Sequence, residues 1–93
     1  MTRAIRGAVQ FKSDDKSLIS ERICFLLEEV LKLNKIDVND IVSIFFSVTK
    51  DIKSINPAAA LRSGGGFSKT PLFCAQEPDT EGATPMVVRI LLT

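Results

Sequence analysis

A chain of 93 residues, 45% apolar and 25% charged, has room for one domain and the composition of an ordinary globular fold. Twelve Lys and Arg against eleven Asp and Glu leave a net charge of +1, far from the basic excess that phosphate-backbone contacts demand, so no nucleic-acid partner is expected. There is no histidine, which excludes Ser-His-Asp triads, Cys-His pairs, imidazole bases and His-containing zinc sites, and two cysteines are too few for a four-cysteine zinc site or a disulfide framework.

Ala4 to Phe11 reads as a first strand, interrupted by Gly7, a residue that often marks close approach of another backbone or a ligand. Ser13, Asp14 and Asp15 supply capping side chains for a helix starting near Asp15. Leu18, Ile19, Ile23, Leu26, Leu27, Val30, Leu31 and Leu33 recur at spacings of three and four, which predicts one long amphipathic helix ending near Asn34. After the turn chemistry of Asp37 to Asp40, Ile41 to Val48 is apolar on both faces except for its serines, the pattern of a buried central strand. Asn56 as cap, Pro57 at the first helical position and three alanines predict a short helix ending at Gly64. Thr70 to Cys74 and Met86 to Thr93 are two further strands, separated by the irregular segment 76–85. Phe11, Phe25, Phe45 and Phe46 are core residues by default, as is Cys24. The expected class is α+β or α/β in one layer pair, without repeat or linker. A chain this short buries only about 60 to 65% of its unfolded surface, so association with copies of itself would help it.

Apolar runs extend to a handful of residues, well below the roughly 20 that span a bilayer. No secretory pattern of basic start, apolar stretch and small-residue cleavage site is found. The expectation is a cytoplasmic protein that does not enter membranes.

The sharpest local anomaly is Arg89 within an otherwise apolar strand; its guanidinium cannot shed its proton, and an unpaired charge there costs several kcal/mol. It is either part of an internal salt bridge, an edge-strand arginine reaching solvent, or half of an anion site. Arg6, between Ile5 and Gly7, is the same anomaly on the first strand, and two such arginines suggest a shared pocket whose planar forks hold a carboxylate. Ser63 to Gly66 lacks the Gly-Lys-Ser/Thr ending of a phosphate loop and is explained by a helix C-terminal glycine followed by a loop. Cys74 has no histidine to activate it as a nucleophile.

Ile5-Arg6-Gly7-Ala8, Pro57-Ala58 followed by Arg62, Cys74-Ala75-Gln76-Glu77 and Val88-Arg89-Ile90, taken together and in this order, resemble the signatures of the monofunctional AroH-class chorismate mutases. The resemblance runs over essentially all 93 residues. It implies an α+β fold in which a mixed β-sheet packs with one long and one short helix, assembled as a homotrimeric pseudo-α/β-barrel with active sites at the subunit interfaces. It also implies the rearrangement of chorismate to prephenate on the route to phenylalanine and tyrosine, with no cofactor and no metal. By the same resemblance, Arg89 faces the breaking ether oxygen and a carboxylate, Arg6 binds the same end of the substrate, and Arg62 is a carboxylate-side arginine. Glu77 accepts a hydrogen bond from the ring hydroxyl, with Cys74 beside it as a weak polar contact. Phe73, Ala58, Ala59 and Asn56 complete the implied substrate-binding set, divided between two neighbouring subunits.

The sequence departs from the family at Asn56, where a phenylalanine is frequent, and at Ala59, where a lysine is frequent. It ends at Thr93, whereas the family commonly continues into a tail bearing a tyrosine and an arginine, so the expectation is a single domain over 1–93 without that tail. The alternative function is a trimeric small-acid-binding or scaffold homologue that keeps the fold with weak or no turnover.

Overall fold

The elements follow in the order β1 (Ile5–Gln10), α1 (Lys16–Leu33), β2 (Ile44–Val48), α2 (Pro57–Ser63), β3 (Leu72–Gln76) and β4 (Val87–Leu92), in a computed structural model that describes residues 2–93. The long helix lies where its caps and periodicity place it. The Asp15 carboxylate accepts the Leu18 N–H at 3.1 Å, the Asn34 side chain donates to the Val30 carbonyl at 2.8 Å, and Ile19, Ile23, Leu27 and Val30 form the buried stripe. In α2 the Asn56 side chain accepts the N–H groups of Ala58 and Ala59, and Pro57, which has no N–H to satisfy, follows the cap.

The sheet order is β1-β4-β2-β3, with β4 antiparallel to both neighbours and β2 parallel to β3, so β1, β2 and β3 run in one direction. Parallel strands cannot be joined by a tight turn and need a crossover. Here α1 is the crossover from β1 to β2 and α2 that from β2 to β3, and both lie on one face of the sheet. Ile44 and Phe46 of β2 and Val88, Ile90 and Leu92 of β4 point into that layer and are buried with Ile19, Ile23, Leu27, Ala60 and Leu61 of the helices. Gly7 permits the close approach: a Cβ there would stand 3.2 Å from Ile90 Cγ1 and 3.5 Å from Leu26 Cδ1. What approaches Gly7 on the helix-covered face is therefore apolar side chains.

Three expectations change. The strand predicted over Ile41 to Val48 begins its regular ladder at Ile44, because Val38–Asp40 forms a 3-10 turn and the Val42 and Ser43 N–H groups both point at the Thr93 carbonyl. The third strand lies two residues later than predicted: parallel pairing with Ser47 and Val48 carries Ala75 and Gln76 into it, and the Glu77 N–H closes on the Val48 carbonyl at 2.8 Å. Phe25 and Phe45 are not core residues. Phe25 lies on the solvent side of α1 and Phe45 on the sheet face that no helix covers, whereas Phe11 and Phe46 are buried as expected. Val42, Phe45, Phe73 and Leu91 are all exposed; the last three lie on that uncovered sheet face.

Cys24 is half-buried rather than fully interior. Its thiol lies 3.8 Å from the Ala60 carbonyl, at the contact between α1 and α2, and burial pushes its pKa up. A Cβ on Gly64 would meet Cys24 Sγ at 2.6 Å, so Gly64 is a glycine because of the thiol beside it. Gly64→Ala is expected to destabilise the protein by about 1–3 kcal/mol through this overlap. Thermal unfolding of the double variant Cys24→Ala/Gly64→Ala should recover most of the lost Tm. Equal destabilisation of the single and double variants would show that the contact is not the cause.

Candidate active site

On the uncovered face of the sheet, cross-strand register brings together side chains that are far apart in sequence. One row runs Arg6, Leu91, Phe45, Phe73, and the next runs Ala8, Arg89, Ser47, Ala75. Glu77, just past the end of β3, reaches back across this second row. Its Oε1 accepts the Arg89 Nε–H at 2.9 Å and the Ser47 hydroxyl at 3.1 Å. Arg89 thus combines two of the three arrangements its sequence context allowed, a partner in an internal ion pair and a guanidinium open to a ligand. Its side chain is half-exposed while that of Glu77 is 16% exposed, so the carboxylate is largely covered and the cation faces outward. It is not on an edge strand, since β4 lies between β1 and β2.

Arg6 and Arg89 line one cleft of about 390 Å³ with Gly7, Ala8 and Ile90, a size within the range of small-molecule sites. Glu77 does not line that cleft; it borders a separate depression of about 230 Å³ beneath the 77–85 segment, against Thr49 and Asp51. Two cations on a largely apolar sheet face suit a small organic anion. Among the described residues no three of Cys, Asp and Glu converge as metal ligands would.

The remaining sequence-selected residues lie toward the other edge. Phe73 is exposed on β3 and stacks on Phe45 with ring centroids 5.3 Å apart. Cys74 pairs in register with buried Phe46 and packs toward the core, on the opposite face from the Glu77 carboxylate, so within one chain the polar contact expected beside Glu77 is not made; burial raises its thiol pKa, which does not favour a nucleophile. Ala58 is half-buried and Ala59 exposed at the start of α2, and the Asn56 carboxamide oxygen is occupied as the helix cap. Within one chain none of these residues lines the cleft of Arg6 and Arg89. Arg62 is engaged elsewhere: its guanidinium donates to the carbonyls of Phe67, Ser68 and Thr70 and closes the glycine loop onto α2. The contacts of Arg62 in the single chain are therefore structural, made to its own loop rather than to a carboxylate.

Ser47 was not among the sequence-selected residues. The available signal was that a serine inside an apolar central strand needs a hydrogen-bond partner. A second pair, Thr49 and Asp51, holds the entry to β4. Thr49 Oγ1 donates to Asp51 Oδ1 and accepts the Val87 N–H at 3.0 Å, and the Asp51 carboxylate takes the N–H of Met86, whose φ is 54°. These bonds, the Thr49 hydroxyl first, hold the Asp51 carboxyl below its ordinary pKa. A carboxylate whose pKa is lowered on folding contributes stability above its unfolded pKa, near 4, and that contribution is lost as pH falls through the folded value. Asp51→Ala should therefore lower Tm at pH 7, and the gap from the unsubstituted protein should close as melts are taken below about pH 4. A gap independent of pH would show that the carboxylate charge plays no part.

Comparison with known proteins gives the arrangement its context. The sequence profile of the family described as chorismate mutase type I matches residues 2–93. The chorismate mutase AroH of Bacillus subtilis (strain 168) is 32% identical over 93 residues, covering all of this chain and 73% of that protein. The chorismate mutase AroH of Thermus thermophilus is 35% identical over 92 residues, 98% of this chain and 75% of that one. A solved chorismate mutase from Clostridium thermocellum superposes with a TM-score of 0.92 at 34% identity, covering 99% of this chain and 81% of its own. Both arginines of the cleft and the glutamate beside them lie within a profile match of nearly full length, and the chain belongs to the chorismate mutase type I family.

Proposed function

We propose that this protein converts chorismate to prephenate at sites completed by a neighbouring copy in a homotrimer. The observation that carries the reading is the cleft shared by Arg6 and Arg89, with Glu77 held against Arg89, in a chain of this family. The reaction is an intramolecular shift in which a C–O bond breaks as a C–C bond forms. No proton is transferred, so a site without histidine loses nothing. The protein's part is to hold a flexible dianion in its compact conformer and to stabilise the charge growing on the ether oxygen. Arg6 and Arg89 supply the cations, and the Glu77 carboxylate accepts the substrate hydroxyl.

The trimer is supported by where the two halves of the residue set lie. Arg6 is on β1 and Arg89 on β4, while Phe73 and Cys74 are on β3, at the opposite edge of the sheet. A second copy that brings its β3 and the start of its α2 to the cleft unites them. Such a contact joins different surfaces of two identical chains, and it closes into a ring when the rotation allows. The apolar row of Leu91, Phe45 and Phe73 would then be covered. Two free cysteines in one short chain fit the reducing cytosol, where we place the protein.

Purified protein should consume chorismate and form prephenate, followed by the loss of chorismate absorbance, and should sediment as a trimer. Binding of a bicyclic diacid resembling the transition state, without turnover of chorismate, would instead support the small-acid-binding alternative. Arg89→Ala should lose on the order of a thousandfold or more in kcat/KM, since one neutral oxyanion donor is already worth about 10²–10³. Arg89→Lys should recover part of this by restoring the charge without the two-pronged geometry. Arg89 is half-exposed and Glu77 keeps the Ser47 hydroxyl, so the fold should lose only about 1–2 kcal/mol and remain folded. Unfolding by Arg89→Ala, with unchanged turnover in any folded remainder, would make the arginine structural. Phe45→Asp should give folded monomers without activity, and a monomer with full specific activity would overturn the shared site.

A further inference from the structure

Ser47 lies between the two strands that carry the charged pair, opposite Arg89 of β4 on one side and Ala75 of β3 on the other. The small side chain at Ala75 leaves room for Glu77 to fold back along the face, and the Ser47 hydroxyl meets Glu77 Oε1 at 3.1 Å. That same oxygen takes the Arg89 Nε–H at 2.9 Å. A carboxylate oxygen has two lone-pair directions, so Oε1 is saturated from within the protein and Oε2 remains the acceptor for a ligand hydroxyl. Arg89 meets the carboxylate through Nε alone; among the described residues neither terminal nitrogen hydrogen-bonds to it. The outer edge of the guanidinium, with its four N–H groups, is left for an anion.

A free carboxylate beside an arginine tends toward the two-point fork, which would occupy a terminal nitrogen. We propose that Ser47 is a positioning residue of the mutase reaction: its hydroxyl holds Glu77 in the one-point contact and so keeps the terminal nitrogens of Arg89 available to the substrate. This inference rests on the mutase reading above and adds to it a residue that touches neither substrate nor reacting atoms.

Because Arg89 acts on charge that grows in the transition state, loss of the Ser47 hydroxyl should appear in kcat more than in KM. Ser47→Ala is expected to lower kcat about tenfold, the scale of one hydrogen bond to a charged group, with KM changed less than about threefold. Ser47→Cys, close in volume but a poor donor, should show the same loss, whereas Ser47→Thr keeps the hydroxyl and should return to within about threefold of the unsubstituted rate. In a Glu77→Ala background, Ser47→Ala should have no further effect, because the residue acts only through that carboxylate. Each variant is compared as the folded assembly, with Tm and sedimentation measured beside the kinetics. Unchanged kcat in Ser47→Ala, failure of threonine to restore it, or an equal loss in the Glu77→Ala background would each overturn the proposal. An inactive unsubstituted protein would overturn the mutase reading and this inference with it; an active one indifferent to Ser47→Ala overturns this inference alone.

Discussion

The direction of β1, β2 and β3 governs what else the chain can do. Three strands running one way require two crossovers, and both crossovers are helices on the same side of the sheet. Burial on that side is thorough: Ile19, Ile23, Leu27, Ile44, Phe46 and Val88 have essentially no exposed surface. The other side receives no element of the chain. Among the described residues the sheet thus keeps one bare face, part apolar and part charged, and it is on this face that the proposed assembly would act.

The bare face explains why its charges tolerate their setting. A guanidinium sealed in an apolar layer is costly unless its partner and all its donors are matched. Arg89 avoids this by lying on the open side with one carboxylate contact and free donors, and a pair half open to water on its cationic side adds only modestly to folding. Stability is therefore not what the pair is for. Were another subunit to cover them, as proposed above, the same charges would act in a lower dielectric, where their effect on a growing negative charge is far larger. On the open face the guanidinium keeps its hydration as the chain folds, and under the proposed assembly the same group would work with less water around it.

The anchoring of β4 belongs to the same logic. The segment before it leaves regular structure, passes through Met86 at positive φ and enters the sheet between two strands that were laid down earlier in sequence. Thr49 and Asp51 take up the N–H groups of Val87 and Met86 at that entry. The position of Arg89 along the sheet is thereby set from β4's first residue, and its angle by Glu77 and Ser47 from the neighbouring strands.

Local signals carried much of this fold. The long helix was legible from Asp15, Asn34 and the spacing of its leucines and isoleucines, and the short one from Asn56, Pro57 and Gly64, because caps and periodicity act within a few residues of themselves. That Arg6 and Arg89 are charges in apolar strands was legible from their contexts, and Glu77 was pointed to by the resemblance alone. What tertiary structure alone decided was everything that depends on register. Nothing local says that Ser47 stands opposite Arg89, that Ala75 and Gln76 join β3, or that Phe45 faces outward while Phe46 faces in. A strand's side chains alternate with period two, so a shift of one residue exchanges its faces, and the shift is chosen by the neighbouring strands. The role of Arg62 followed the same rule: the residue was found by its motif, but its contacts were set by a loop whose carbonyls happen to turn toward it.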